Sequence, residues 1–477
     1  MYPNTRLYID GQWSDAGDGA TLEVRNPATD EIIGQVARAT RADLERAVAA
    51  AERGLAVWRA TPALSRASVL RKAGHLLRER LDDIARLMTL EQGKALAEAK
   101  GEIDRGADTC EWMAGEASRL YGRSIPARAA NVSQLVVREP IGIVAAFSPW
   151  NFPINQLVRK VLGALAAGCS IMVKAPEEAP ACSAAMVQAF ADAGVPAGVL
   201  NLVFGVPAEI SGFLVPHPSV RKVSFTGSTA VGKQLAAEAA RHMKVSTMEL
   251  GGHAPVLVFA DCDVEAAARA LAGNKFRNAG QSCISPTRLL VERPAFERFV
   301  AAFVDGARAV KVGDGLDPAT TMGPLANPRR LAAMRELTAD AITHGAKLQL
   351  GGKRIGDKGN FFAPTVFTNV PLQARLMNEE PFGPLVPINA FDGFNEAIAE
   401  ANRLPFGLSA YAFTASHKTA QAVAAQVQSG MVSVNHFGLG HPEAPFGGMK
   451  DSGYGFEGGA EAIEGYLQTR FITLADL

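Results

Sequence analysis

Cysteine is scarce in this chain of 477 residues, and so are aromatic side chains, at 7%. The five cysteines (Cys110, Cys169, Cys182, Cys262, Cys283) contain no CxxC pair and no Cys/His pair of metal spacing, and their number is odd. A disulfide framework and a structural metal centre are therefore not expected, and free thiols in a reducing cytoplasm are the simplest account. Net charge is also lacking: 48 basic residues balance 48 acidic ones, which leaves no overall field to attract nucleic acid or an anionic membrane surface. No long hydrophobic run is present. The longest uncharged apolar stretch, Val161 to Val173, is interrupted by Gly163, Gly168 and Ser170 and falls short of the roughly 20 residues that span a bilayer; it reads as the end of a buried helix and a strand. Met1 to Trp13 mixes Asn4, Arg6, Asp10 and Gln12 into its apolar residues and has no secretory core, so the mature protein is expected to start at Met1.

The length points to two or three domains of roughly 100 to 200 residues each. A short strand pattern, Leu7 to Trp13, opens a first segment that is otherwise helical, with Thr40 as a candidate N-cap and Asp43 three residues on before the helix Arg41 to Arg59. Between Tyr121 and Pro140 a β-leaning segment ending in Gln134 to Val137 suggests a hairpin projecting from the body. From Ile141 strand and helix alternate. The strand candidates are Ile141 to Phe147, Ser170 to Lys174, Val199 to Phe204, Lys222 to Thr226 and Lys244 to Leu250, which implies a parallel, doubly wound sheet. A second alternating run from Pro255 to Ala390 implies a second α/β domain, and Tyr466 to Leu474 reads as a late strand. No internal repeat or low-complexity tract is visible.

Strand Lys222 to Thr226 runs into Gly227, Ser228, Thr229, Ala230, Val231, Gly232 and Lys233, and then a helix. Such a turn lets backbone N–H groups and the helix dipole face a phosphate. The segment nearly spells a P-loop, but Gln234 stands where a hydroxyl would hold magnesium. A structural turn, an NTPase loop and a dinucleotide site all remain open from these residues. Lys174 and Glu177 lie just past the end of a neighbouring strand, where ligands bind in open α/β sheets, and could hydrogen-bond a ribose; a solvated charge pair is the plainer reading.

Cys283 sits in the turn Asn278-Ala279-Gly280-Gln281-Ser282-Cys283 that follows the helix Val264 to Arg277. By position alone it is more readily an inert small hydrophobe than a nucleophile. Glu249, which ends a strand in front of Gly251 and Gly252, is a candidate general base whose apolar setting would raise its pKa, or else one half of an ion pair. Asn151, held in Pro149-Trp150-Asn151-Phe152-Pro153, offers a rigid side-chain N–H₂ to an oxyanion, or simply shapes a proline turn.

Taken together, the segments Pro149 to Pro153, Lys174 to Glu177, Phe225 to Gly232, Glu249 to Gly252, Gly280 to Cys283, Glu380 to Pro384 and Pro445 to Gly455 resemble the aldehyde dehydrogenase superfamily, in the same order over essentially the whole chain. The resemblance implies an α/β fold with three parts. These are a Rossmann-like NAD-binding domain (1–118 and 140–251), a catalytic domain (252–446) and a small β oligomerisation domain (119–139 and 447–477), the last implying a homodimer or homotetramer. It implies Cys283 as the nucleophile, Asn151 as the oxyanion donor and Glu249 as the base that activates water. Lys174 and Glu177 would bind the adenosine ribose and Gly227, Ser228 and Gly232 the pyrophosphate. Pro149 and Trp150 would also contact the cofactor, and Glu380 with Phe382 would hold the nicotinamide ribose. A glutamate at 177 favours NAD over NADP, with NADP still possible.

Within the family the chain looks most similar to bacterial 2-oxoglutarate semialdehyde and succinate semialdehyde dehydrogenases, with Arg159 and Arg277 where the substrate's far carboxylate is anchored. Ordinary helix ion pairs are the competing account of both arginines. Three departures stand out: Gly440 and His441 replace an anchoring serine, Ser285 stands where some members carry a second cysteine, and Phe456 replaces a common Arg or Ser. Dehydrogenation of another small aldehyde, a catalytically silent binding protein and a P-loop hydrolase are the alternatives.

Overall fold

The computed structural model describes residues 2–476; Met1, the expected start of the mature chain, and Leu477 lie outside the described residues. Two sheets with separate hydrophobic cores dominate the fold. The first has eight strands in the order Gln12–Ser14, Leu7–Ile9, Leu200–Val203, Ser170–Lys174, Ile143–Phe147, Val220–Thr226, Val245–Glu249 and Gly453–Tyr454. Its five central strands are parallel, as expected from their short, fully buried apolar runs. Its edges are antiparallel, so the sheet is mixed rather than parallel throughout.

The expected strand Leu7 to Trp13 is in fact a tight hairpin, because Asp10 and Gly11 both take positive φ (54° and 78°) and reverse the chain. The strand order reverses direction beside Ile143–Phe147: the chain proceeds outward to Ser170–Lys174 and Leu200–Val203, then returns to lay Val220–Thr226 on the other side. The crevice at such a switch point, beyond the carboxyl ends of the strands, is where an open α/β sheet binds its ligand. Here it receives the Pro149–Pro153 turn from one strand and Gly227–Ser228 from its neighbour.

The second sheet has seven strands, in the order Lys347–Leu350, Thr365–Thr368, Leu385–Phe391, Arg288–Glu292, Pro255–Val258, Ser409–Phe413 and Met431–Val434. All neighbours are parallel except the Lys347–Leu350 edge. A three-stranded antiparallel sheet joins Arg123–Ile125 and Val132–Pro140 to the C-terminal strand Leu467–Ala475. The chain reaches that strand only after Met449–Lys450 has paired with Phe406–Gly407 and Gly453–Tyr454 with the first sheet. Among the described residues no helix is long and apolar enough to cross a membrane.

Four helices, Arg41–Ala60, Ala63–Glu79, Leu81–Gln92 and Leu96–Ala117, precede the first parallel strand. The first begins in a capping box. Thr40 Oγ1 accepts from the Asp43 N–H, and Asp43 Oδ2 accepts from the Thr40 N–H at 2.8 Å. Burial opposes ionisation of Asp43, but hydrogen bonds from the Gly17 and Thr40 N–H groups, the Thr40 hydroxyl and Arg46 outweigh it and hold the carboxyl below its usual range. A depressed carboxylate contributes stability that is present above the unfolded-state pKa of about 3.9 and is lost as pH falls through the folded-state value. Asp43→Ala should therefore cost about 1–2 kcal/mol at neutral pH. The gap between variant and wild type in denaturant unfolding should narrow once the pH drops below about 4.

Candidate active site

The turn that carries Cys283 is built from an unusual run of backbone. After the helix Val264–Lys275, Asn278, Ala279 and Gly280 all take positive φ (47°, 53° and 71°). A Cβ on Gly280 would lie 2.2 Å from the Gly383 carbonyl oxygen, so only glycine lets the turn settle onto the Glu380–Pro384 segment. Left-handed non-glycine residues cost energy and persist where surrounding contacts hold them. Those contacts are present. Glu98 accepts from the Asn278 N–H at 3.0 Å, Gln92 Nε2 donates to Asn278 Oδ1 at 3.0 Å, and the Ala326 N–H donates to Gln281 Oε1 at 3.0 Å. From the far side, the Tyr411 hydroxyl donates to the Ile284 carbonyl at 2.6 Å.

Asn151 is tied to the same turn. Its Nδ2 donates to the Gln281 carbonyl at 3.2 Å, which leaves its second N–H free. Its own carbonyl accepts from Asn278 Nδ2 at 2.9 Å and from Lys94 Nζ at 2.8 Å. Lys94 is fully buried and paired with Glu102, whose other oxygen accepts from the Ile154 and Asn155 N–H groups at the start of helix Pro153–Ala167. The Lys94 ammonium also lies 4.2 Å from the Phe152 ring centre.

Cys283 opens onto a cavity of about 270 Å³ whose walls include Arg105, Phe152, Arg159, Arg277, Tyr411, Phe437, His441 and Phe446. Burial, with Glu380 and Glu249 nearby, pushes its thiol up to about 12. Glu249 is buried at the end of Val245–Glu249, and neither of its oxygens has a hydrogen-bond partner among the described residues. Burial, followed by the neighbouring Glu457 carboxyl, raises its pKa well above the carboxylate range, against the pull of Lys160 and Arg159. Lys160 is itself held by Glu457, by Thr226 Oγ1 at 2.7 Å and by Ser224 Oγ at 3.2 Å.

The two candidate anchors differ. Arg159 is buried; its Nη2 donates to the Gly440 carbonyl at 3.1 Å and its guanidinium lies 4.5 Å from the Phe446 ring centre, while Nε and Nη1 have no partner among the described residues. Arg277 is exposed and stands 3.9 Å from Glu98.

The remaining candidates line the sheet's switch point. Lys174 and Glu177 are bonded to each other at 2.5 Å, and Glu177 also accepts from the Gly205 N–H at 3.3 Å. Gly227 donates to the Glu249 carbonyl at 3.0 Å, and Ser228, the N-cap of helix Thr229–Arg241, makes no side-chain cap bond. Gly232 lies a turn further in. Its N–H is bonded to the Ser228 carbonyl at 2.9 Å and a Cβ there would strike Leu250 at 2.2 Å, so only glycine lets the helix pack this closely. Trp150, next to Pro149, meets the Phe382 ring edge-on with centres 5.6 Å apart, and Phe382 is held at φ 43°.

Glu380 is half-buried, with a buried Oε1 that is unpartnered among the described residues, and desolvation pushes its carboxyl up to about 8. A Cβ on Gly251 would lie 2.6 Å from Glu380 Oε2. An orphaned buried carboxyl oxygen, a bare glycine before it and an uncapped helix start with a spare hydroxyl fit a dinucleotide that lays a pyrophosphate on the helix and a ribose hydroxyl on Glu380.

Lys94, Glu98, Glu102, Arg105, Lys160 and Glu457 were not singled out from the sequence. The last lies two residues beyond the Pro445 to Gly455 segment, which was the one available hint. Glu98, Glu102, Arg105 and Lys160 come from helix faces and Lys94 from the link before helix Leu96–Ala117, with no local pattern.

Residues 13–472 match the model of the aldehyde dehydrogenase family. The chain is 46% identical to the 4-(hydroxymethyl)benzenesulfonate dehydrogenase TsaD1 of Comamonas testosteroni, over 99% of this chain and 98% of that protein. It is 42% identical to the succinate-semialdehyde dehydrogenase [NADP(+)] GabD of Escherichia coli, over 98% and 97% respectively. The crystal structure of succinate-semialdehyde dehydrogenase from Burkholderia pseudomallei superposes with a TM-score of 0.97 at 42% identity, covering 99% of this chain and 98% of that one. With the motifs, the fold and the thiol-bearing turn in agreement, the chain belongs to the aldehyde dehydrogenase family.

Proposed function

We propose that this enzyme oxidises a small semialdehyde with a remote carboxylate to the dicarboxylate, using NAD or NADP. The carrying observation is a single cavity that has a thiol on its floor, an amide donor tied to the same turn, a buried carboxyl within electrostatic reach and arginines in its wall. A relative named for succinate semialdehyde supports that substrate class, and 2-oxoglutarate semialdehyde is the longer candidate.

Cys283 Sγ forms a bond to the aldehyde carbon as its proton leaves, and the carbonyl oxygen becomes an oxyanion held by the free Asn151 N–H and the Cys283 backbone N–H. Bound NAD supplies the hydride acceptor, held by Glu380 on one ribose and by Lys174 and Glu177 on the other. Loss of hydride from the thiohemiacetal carbon leaves a thioester on Cys283. Glu249 then takes a proton from a water that attacks the thioester, and the carboxylate product departs as the thiol is restored. Arg159, with two idle buried nitrogens, and Arg277 at the mouth receive the remote carboxylate.

The three-stranded sheet supports a homodimer or homotetramer. Leu135, Phe471 and Leu474 are exposed on it, Leu135 and Leu474 on one face and Phe471 on the other, and the strand Leu467–Ala475 is an edge that a second copy of the chain could pair. Its assignment as the oligomerisation domain, with the NAD-binding and catalytic domains bounded as expected from the sequence, belongs to the same proposal. Five cysteines without disulfides fit a cytoplasmic setting.

The direct test is NADH formation from succinate or 2-oxoglutarate semialdehyde by the purified protein; no NADH from any aldehyde defeats the reading. Cys283→Ala should abolish turnover while NAD binding, followed by protein fluorescence, is retained. Because Glu249 is pushed up, it is a proton acceptor only above its raised pKa, so turnover should climb with pH beyond the ordinary carboxylate range. Glu249→Gln should lower turnover by about 10² to 10⁴ and flatten that rise.

Glu177 carries a negative charge toward the site of a 2′-phosphate. Glu177→Ala should raise kcat/KM for NADP by about tenfold and lower it for NAD, as measured by parallel cofactor titrations.

A further inference from the structure

The cavity contains more cationic groups than a carboxylate requires. Two guanidinium groups can occupy both oxygens of a carboxylate, and Arg159 and Arg277 are already at hand. Arg105 lines the same cavity, and among the described residues its guanidinium has neither an ion-pair partner nor a hydrogen-bond acceptor. The acids near it are engaged elsewhere: Glu102 by Lys94, Asp104 by Arg78 Nε at 2.9 Å, and Glu98 by the Asn278 N–H at 3.0 Å.

The side chain runs back along its helix, so that Nη1 lies 3.5 Å from where a Cβ on Gly101 would be. Glu98, Glu102 and Arg105 share one face of helix Leu96–Ala117 at spacings of four and three residues, the face that meets the site. Burial and the adjacent Arg277 charge lower the proton affinity of Arg105, as expected of like charges crowded into one wall. A wall of this kind is relieved when an anion with enough acceptor atoms enters.

We infer that Arg105 is a specificity-determining residue, a third anion-binding group that selects aldehydes whose remote end presents three acceptor oxygens, as a sulfonate or a 2-oxo carboxylate does. The inference rests on the proposed oxidation of anionic aldehydes and narrows it. A plain carboxylate is satisfied by Arg159 and Arg277, and the third oxygen is the one Arg105 adds.

Steady-state kinetics of wild type, Arg105→Ser and Arg105→Lys test it, with NAD and four aldehydes: 2-oxoglutarate semialdehyde, 3-sulfopropanal, glutarate semialdehyde and pentanal. Arg105→Ser should raise KM about tenfold or more for the first two, less than about threefold for glutarate semialdehyde and not at all for pentanal, with kcat within about twofold throughout. Arg105→Lys keeps the charge but loses the planar fork, and should raise KM for the first two alone. If Arg105→Ser does not fold, as judged by NAD binding and thermal unfolding, the lysine variant decides. Equal KM changes on all four aldehydes, or none on the three-oxygen anions, overturn the inference. Wild type that oxidises pentanal but none of the anionic aldehydes overturns instead the proposed function on which it rests.

Discussion

The buried Lys94–Glu102 pair is the constraint on which the active-site geometry depends. Both side chains are fully buried, so the pair survives only because every remaining valence is used. Glu102 caps the start of helix Pro153–Ala167 through the Ile154 and Asn155 N–H groups, while Lys94 grips the Asn151 carbonyl. That carbonyl also receives Asn278 Nδ2, and the Asn151 side chain reaches back to Gln281. Asn151, the proposed oxyanion donor, and the turn that presents the thiol are thus fixed to each other by one chain of hydrogen bonds anchored on one ion pair. Loss of either partner would leave a bare charge in the interior, a disruption of about 3–5 kcal/mol, at the point where catalytic geometry is least tolerant of movement.

Around this rigid clamp the ionisable groups are held in their neutral forms. Glu249, Glu380 and the Cys283 thiol all sit where burial favours the protonated state, and the two carboxyls raise the thiol further. The cations that could counter this are committed: Lys160 to Glu457, Arg159 in part to Gly440. Without cofactor the thiol is therefore a poor nucleophile. Under the proposed function a ribose hydroxyl on Glu380 would shift the balance that keeps Cys283 protonated, because Glu380 is one of the two carboxyls that raise the thiol.

What the sequence revealed, and what it concealed, follows from how local each feature is. Ser170 to Lys174 was read as a strand with its true ends because a five-residue buried run between turns is a local signal. Leu7 to Trp13 was read as one strand because its alternation continues across Asp10-Gly11, and the reversal there rests on two positive φ angles. Cys283, Glu249 and Asn151 stand out as candidates in the sequence because each lies at a strand end or in a turn of marked composition. Lys94, Glu102 and Arg105 do not. They lie on or beside helices among ordinary surface-type neighbours; Lys94 meets Asn151 57 residues away and Glu102 meets Ile154 52 residues away, so nothing within a short window records the contact. Gly232 shows what a glycine pattern leaves out: a side chain there would strike Leu250, a packing demand that no local spacing announces.

The helix Leu96–Ala117 explains how a site assembled from two separate cores can be exact in its dimensions. It belongs to the first core, yet its first residue donates to the Gly315 carbonyl at 2.9 Å and Glu98 holds the Asn278 N–H, both in the second. One turn on, Glu102 fixes the helix that carries Arg159, and three residues later Arg105 enters the cavity wall. A straight helix is a ruler with a rise of about 1.5 Å per residue. Setting the nucleophile's turn, the oxyanion donor's anchor and a charge for the substrate's far end on one face of one ruler ties the distance between the reacting carbon and the remote anion to backbone geometry. A substrate whose length matches that spacing needs no movement of either core to be bound at both ends.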